Sequence, residues 1–448
     1  MFKKYIGTKD FYQKLMRIAL PLALSNLLSS CMSIVDSVMV SSIGMVTAVG
    51  NATNVMMLND GILWGVVSGI AIFSSQFFGA RQYENMNKSF GLSVLSTFLI
   101  SGIFTLLIYS FGREILLFYL NDLELVEYSL IYLKISSLSL FPAWFNFCVI
   151  TQYRSMHNTR FPFLISTGSA LGNVILNYIF IFIMKLGIAG AALGSLLSNL
   201  TWSIVLIVTI FLTKPQFFYG IKHMFSFNLN FIKPIFSKTI PIVVNETFFG
   251  FGSSLFAKAY GQLGTSSMDA YYIANQAYNL FTFAIWGIGN AVAIIVGTTL
   301  GAGEIKQASR ESYYHMSTSF IMGLSLMLIM ILLAPTFLSF YSIQTIEAYE
   351  LTRYLLYVLS LKVFMRAFNY MMFSVLKAGG DSSILNILDS GIMYLVGIPL
   401  AFGSVYFGIK SIVIVLLICQ LEQVVRFFFT IMRYRKGYWL KNLTSLVN

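Results

Sequence analysis

Apolar residues run through this chain in long uninterrupted blocks, broken by short polar joints. Twelve such runs can be counted: about 15–40, 52–78, 90–111, 126–152, 161–184, 188–212, 235–260, 270–300, 314–339, 348–376, 383–406 and 409–432. Each is long enough for a helix to cross a hydrocarbon layer of about 30 Å at 1.5 Å per residue. The pattern predicts an all-α, polytopic membrane protein with twelve transmembrane helices. The one long polar joint is 213–234, which holds Lys214, Pro215, Lys222, His223 and Lys233. It divides the chain into a lobe of six spans at 1–212 and a second at 235–448, the latter ending in a short tail.

The halves repeat. Leu20-Pro21 matches Ile240-Pro241 and Gly44 matches Gly264, both 220 residues on. Trp64-Gly65 matches Trp286-Gly287, and Gly79-Ala80 matches Gly301-Ala302, at 222. Leu186-Gly187-Ile188 matches Phe407-Gly408-Ile409 at 221. An even number of spans per repeat gives both repeats the same orientation, so a pseudo-twofold axis along the membrane normal is expected, as in transporters with parallel repeats.

Composition agrees with the pattern: 57% of the 448 residues are hydrophobic and 10% are charged. The net charge of +12 would suit a nucleic-acid binder, but its placement says otherwise. Twenty basic residues fall at the termini or in loops on the termini's side, against Arg113, Lys185 and Lys410 on the other. The positive-inside rule then puts both termini in the cytoplasm of a cell (plasma or inner) membrane, and no nucleic-acid partner is expected. Cys31, Cys148 and Cys419 all lie in apolar runs, an odd number that argues against a disulfide framework or a metal site. The basic N-terminal segment lacks a short apolar core with a cleavage site, so the first span is expected to be retained.

Charges inside apolar runs are costly, about 2.5–3.5 kcal/mol each on insertion scales, and mark candidate functional sites. Asp36 is the one carboxylate in the first run. With Asn26, Ser29, Ser33 and Ser37 it forms a stripe at helical spacing. Two roles fit it: an ion or proton site inside a bundle, or a capping or packing acid near the outer face. Asn173 and Asn177 are one helical turn apart, where amides serve either as interhelical glue or as ligands. Glu246 shares a face with Gly250, Ser253 and Ala257; it is either a cation site or the partner of a basic neighbour, Lys258 or Arg366. Asn275, Asn279, Thr282, Trp286 and Asn290 form a polar stripe on the eighth span that would line a substrate cavity together with Asn26. Asp389 and Asp60 are further intramembrane acids. The first lies close enough to a cytoplasmic loop that a contact there and a role in transport are both open, and the second is near enough to an outer end to be hydrated. Nothing resembles a metal-ligand cluster, a phosphate loop or a nucleophile–base pair, so a transporter rather than an enzyme is expected. An ion channel would favour a symmetric oligomer with a repeated pore segment, which this internal duplication fits less well.

The motifs IALPLALSNLL and SIVDSVMVSSIG in the first span, FFGARQYENMNKS after the second, LNYIFIFIMKLGIAGAALGS across the fifth and sixth, and FSVLKAGGDSS with GIPLAF in the second half together resemble the multidrug and toxic-compound extrusion (MATE) transporters over the whole chain. That family belongs to a superfamily that also holds flippases of lipid-linked oligosaccharides, the rival reading here. The resemblance implies two six-helix bundles in a V around a central cavity. It implies export of small organic cations in exchange for H⁺ or Na⁺, no cofactor, and a protein that works as a monomer in the lipid bilayer. By the family pattern, Asp36 is the coupling aspartate, and Asn173, Asn177 and Ser195 are its partners, with Glu246 as an acid in the second lobe. Many members carry an aspartate where this chain has Asn177. A Na⁺ ion at Asp36, Asn173, Asn177 and Ser195 would then rest on neutral oxygens and a single charge, which weakens binding. A lone buried carboxylate needs no such cage for a proton, and this favours H⁺. On the flippase side, Lys134, Lys362 and Arg366 would suit an anionic substrate, whereas Asp36 and Glu246 oppose one.

Overall fold

The computed structural model describes residues 6–119, 122–341 and 345–447; Lys3 and Lys4 of the basic N-terminal segment lie outside them. Every regular element among the described residues is helical. In chain order these are α1 (Lys9–Ser41), α2 (Val46–Gly79), α3 (Tyr83–Tyr119), α4 (Leu123–Ser155) and α5 (Arg160–Tyr178), the last running on as a π-helical turn, Ile179–Ile183. Then come α6 (Gly187–Thr213), a one-turn α7 (Ile221–Met224), α8 (Leu229–Gly261), α9 (Thr265–Gly301), α10 (Ile305–Leu338) and α11 (Ile346–Ala378). The chain ends with α12 (Ser383–Asn386), two π-helical turns at Ile387–Gly391 and Met393–Gly397, α13 (Ile398–Tyr406), α14 (Ile412–Cys419) and α15 (Leu421–Arg435).

Among the described residues, eleven helical stretches are long and apolar enough to cross a membrane, with 383–406 and 412–435 each counting as one. The tenth of the twelve expected runs, 348–376, does form a helix, α11, of 33 residues. It is not among the eleven, because Lys362, Arg366 and Asn369 dilute its apolar stretch. The sequence reading counted that run as apolar; the structure shows a full-length helix with charges at its middle.

The helices form two compact units. One holds Leu27–Val243 with Thr444–Asn448, and the other holds Met1–Asn26 with Val244–Leu443. The division therefore does not fall at the 213–234 connection but inside α1 and α8. Close packing gives the reason. In the first unit, a Cβ on Gly65 of α2 would lie 2.6 Å from the Cα of Val243 on α8. In the second, a Cβ on Gly287 of α9 would lie 2.6 Å from the Cα of Ala23 on α1. Only glycine lets the backbones approach so closely. The two contacts occupy repeat-related positions, which is the structural meaning of the Trp-Gly pair found twice in the sequence. Trp64 and Trp286 have matching exposures of 37% and 39%.

The polar connection is held against the first unit. Phe217 is buried, and its carbonyl accepts from Asn87 Nδ2 of α3 at 2.9 Å. In the second unit the tail is held likewise: Trp439 is buried and stacks on Tyr434 with centroids 5.5 Å apart. Arg433 makes two 2.7 Å bonds to Asp381 beside it.

Candidate functional site

In the first unit the C-terminal part of α1 carries Asp36, α5 carries Asn173 and Asn177, and α6 carries Ser195. The structure joins the four into one hydrogen-bonded chain. Asn177 Nδ2 donates to Asp36 Oδ1 at 2.9 Å and to Asn173 Oδ1 at 3.2 Å. Asn173 Nδ2 in turn donates to Ser195 Oγ at 3.0 Å. The local sequence explains why α6 comes so near. Its start, GIAGAALGS, places Gly194 against α5 and Gly190 against the π turn that follows it. A Cβ on Gly194 would fall 1.9 Å from Asn177 Oδ1, and one on Gly190 would fall 2.8 Å from the Phe180 carbonyl. The α-helical hydrogen bonding of α5 gives way to the π turn directly after Asn177 and Tyr178, a distortion frequent at functional sites.

Asp36 and Asn173 are half-buried, while Asn177 is 3% exposed. Asn177 Oδ1 is buried with no hydrogen-bond partner among the described residues. An apolar patch of Val40, Ile181 and Ala191 lies beside the chain, with Tyr132 packed on it and within electrostatic reach of Asp36. The site thus offers one carboxylate, two amide oxygens and a hydroxyl. Oxygen donors of this kind suit a proton or a hard monovalent cation. They do not make a transition-metal site, and no cluster of three His, Cys, Asp or Glu exists among the described residues.

The second unit is organised differently. Its centre is Asp389, in the first π turn of 387–391 and buried. Arg366 Nη1 lies 3.6 Å and Arg426 Nη2 3.4 Å from its Oδ1, and Asn245 Nδ2 donates to Oδ2 at 3.3 Å. Arg426 is fully buried and also donates to Glu422 and to the carbonyls of Leu388 and Asp389. Glu422 additionally accepts from Gln423 Nε2 at 3.3 Å. Ser390 Oγ donates to Asn245 Oδ1 at 2.7 Å, fastening α8 to the π turn. The loop contact considered for Asp389 is therefore replaced by a buried ionic network. Asp389 lies inside the first π turn, where the 3.6-residue register is broken, and its ionic partners come from α11 and α15. Glu422 and Arg426 escaped the sequence reading as a pair, although their spacing of four was a usable signal.

Glu246 is half-buried next to this network, and the charged groups acting on it are Lys377, Asp389 and Arg366. Of the two basic neighbours considered, Arg366 is present and Lys258 is not; Lys377 was not considered. On the eighth-span stripe, Asn275 is half-buried, Asn279 is exposed and Trp286 is 39% exposed. Thr282 departs from it: the residue is buried and its hydroxyl donates to the Asn279 carbonyl at 2.8 Å. Asn26 on α1 is half-buried. Asp60 is not simply hydrated, because it is half-buried and hydrogen-bonded to the Trp144 side chain.

Comparison with known proteins gives a consistent answer. The sequence model of the MatE family matches residues 21–179 and 241–402, one segment in each half of the duplication. The probable multidrug resistance protein YoeA of Bacillus subtilis (strain 168) is 21% identical over 398 residues, covering 85% of this chain and 84% of its own. Among solved structures, a mutant of the Vibrio cholerae MATE transporter VcmN superposes with a TM-score of 0.87 at 19% identity, covering 97% of this chain and 98% of that one. A MOP superfamily transporter from Pyrococcus furiosus, described as having a binding pocket of reversed polarity that suggests a different function, superposes with a TM-score of 0.86 at 17% identity, covering 100% and 98%. Likeness at these identities concerns the fold.

Proposed function

The chain belongs to the MatE family of multidrug efflux transporters, and from that premise we propose that it is a secondary antiporter, exporting cationic amphiphilic compounds in exchange for H⁺ or Na⁺ by alternating access. The observation that carries this reading is the chain from Asp36 through Asn177 and Asn173 to Ser195. A carboxylate held this way binds a proton, a metal ion or an organic cation, and hardly two together. Exclusive occupancy becomes antiport when the bound ion has different affinity for two conformations, since an ion drives a change only through that difference. The neighbours supply the context: YoeA is named for multidrug resistance, and VcmN is a MATE transporter.

H⁺ is the preferred ion. A lone half-buried carboxylate takes a proton with no cage of further charged ligands, whereas Na⁺ held by one carboxylate and neutral oxygens binds more weakly. Cytoplasmic termini, residence in the cell membrane and action as a monomer complete the proposal. Flipping of an anionic lipid-linked precursor is the second reading, favoured by the basic side chains of the α11 and α15 network and by the reversed polarity ascribed to the Pyrococcus furiosus protein. Asp36 and Glu246 oppose it.

The test is transport in proteoliposomes, with Na⁺ and pH gradients imposed separately, for the wild type and Asp36→Asn. Asp36→Asn is expected to fold and insert, because it removes a desolvation cost, and to lose gradient-driven efflux, because an amide exchanges no proton. Efflux by Asp36→Asn at the wild-type rate would remove the coupling role. A response to Na⁺ with pH clamped would overturn the proton preference alone.

A further inference from the structure

We propose that Lys362, with Arg366 one turn away, forms an anion subsite within the second unit that takes the carboxylate of an amphiphilic substrate, so that the transporter accepts zwitterions as well as simple cations. The inference rests on the efflux reading for the amphiphilic class of ligand, and on the second unit's own geometry for the anion.

Four basic and three acidic side chains meet in this region: Lys362, Arg366, Lys377 and Arg426 against Glu246, Asp389 and Glu422. Three acids cannot neutralise four cations. Asp389 is shared by Arg366 and Arg426, and Glu422 is bonded to Arg426 and Gln423. Glu246 is acted on by Lys377 ahead of any other charge. Lys362 is left without an acid bonded to it: Glu422 and the like charge of Arg366 act on it only from a distance. It makes no ion pair among the described residues; its ammonium sits over the Tyr278 ring, 4.9 Å from the centroid.

An uncompensated ammonium at the middle of a membrane helix faces protein or water, not lipid. Lys362 is the seventeenth of the 33 residues of α11, so about 24 Å of helix separates it from either end, well beyond the reach of a snorkelling lysine. It is half-buried rather than enclosed, so its ammonium remains open to a ligand. Arg366 is its neighbour at i+4 on the same face, where like charges repel. An anion lying against both cations relieves that repulsion and supplies the missing charge. Aromatic walls for the rest of such a molecule are already present. Tyr278 lies under Lys362, and Phe249 and Tyr370 flank Arg366 at 5.2 and 5.8 Å. Flat aromatic faces of this kind hold a planar amphiphile by stacking and by attraction to its cationic part.

Two dyes that differ in one carboxyl group test this. Rhodamine B carries a free carboxylate beside its cationic ring system, and its ethyl ester carries the cation alone. Binding of each to the purified full-length protein is followed by fluorescence anisotropy, in nanodiscs of zwitterionic lipid only, so that no lipid anion competes for the subsite. Lys362→Met, which keeps the stem and removes the charge, should weaken rhodamine B about tenfold or more and leave the ester within twofold. Lys362→Arg should restore rhodamine B. Equal losses for both dyes, no loss for either, failure of Lys362→Arg to restore, or no saturable binding of rhodamine B to the wild type would each overturn the proposal. Equilibrium binding needs no gradient, so failure of ion-driven transport and failure of the anion subsite are separate results.

Discussion

Gly194→Ala tests whether the first-unit site depends on the close approach of α6. A Cβ there would lie 1.9 Å from Asn177 Oδ1 and 3.0 Å from both Asn177 Cγ and the Asn177 backbone nitrogen. The first distance is impossible, so either α6 retreats or the Asn177 amide rotates. Rotation breaks its bonds to Asp36 and Asn173. The first of these ends on a carboxylate and is worth about 1.5–3 kcal/mol, the second about 0.5–1.5 kcal/mol. Retreat of α6 costs about 1–3 kcal/mol, as overpacking does elsewhere. The protein takes the cheaper route, so the expected loss is about 2 kcal/mol. Cys148, buried in the same unit, provides the readout once Cys31 and Cys419 are replaced by serine: a thiol-reactive dye reports its exposure on heating. Gly194→Ala should lower the apparent melting point by a few degrees and depress efflux. In an Asn177→Ala background the clashing amide is gone and only the 3.0 Å backbone contact remains, so the same substitution should cost little. Contacting residues are expected to be non-additive in this way. An equal fall in both backgrounds would mean that Gly194 acts through something other than Asn177, and the reasoning would fail.

Gly65→Ala and Gly287→Ala should each destabilise by about 1–3 kcal/mol, because both added methyls meet backbone at 2.6 Å, where no side-chain rotation helps; Gly50→Ala, with nothing within 4 Å, is the neutral control in the same melting assay. Loss at one glycine and not the other would break the equivalence of the two contacts. Arg426→Met should cost about 3–5 kcal/mol, since it leaves buried Glu422 without its cation and Asp389 with Arg366 alone, and Arg113→Met, whose pair with Glu127 is exposed, should leave the melting curve unchanged. A wild-type melting point for Arg426→Met would show that the network is not structural.

The helices were legible because apolar runs of membrane length have few alternative folds, and the duplication was legible because its matches keep one offset. The compact units were not. Residues 15–40 form a continuous run, and nothing in a continuous helix marks Asn26 as the last residue of one unit and Leu27 as the first of the next. That boundary is decided by what each half packs against. The only trace of it in the sequence is the repeated Trp-Gly pair at 64–65 and 286–287, whose glycines admit Val243 and Ala23. A pair of glycines is readable as a close contact, but not as a contact with a particular helix. The charged face of α11 was legible in part. Lys362, Arg366 and Lys377 could be placed on one stripe by counting, yet counting could not say which acids were already taken.

The two units differ in how much of their chemistry a helical period reveals, and the π turns explain the difference. In the first unit Asn173 and Asn177 lie before the π turn of 179–183, on regular helix, so spacing by four placed both amides on one face. The family resemblance then pointed that face at Asp36, 141 residues away. In the second unit Asp389 lies inside a π turn, with another directly after it. Each such turn inserts about one residue relative to the α-helical count and rotates everything beyond it by roughly 100°. Spacing at 3.6 residues per turn therefore does not find the neighbours of Asp389, and its nearness to a cytoplasmic loop leaves a loop contact and a role in transport equally open. Its true partners come from α11 and α15. Arg426 is legible as a basic residue inside the last apolar run, but helical spacing within that run does not pair it with an acid 37 residues earlier. Gly194 was hidden for a different reason. Its importance is that it has no side chain where Asn177 needs space, and an absence gains meaning only once the opposite side chain has coordinates.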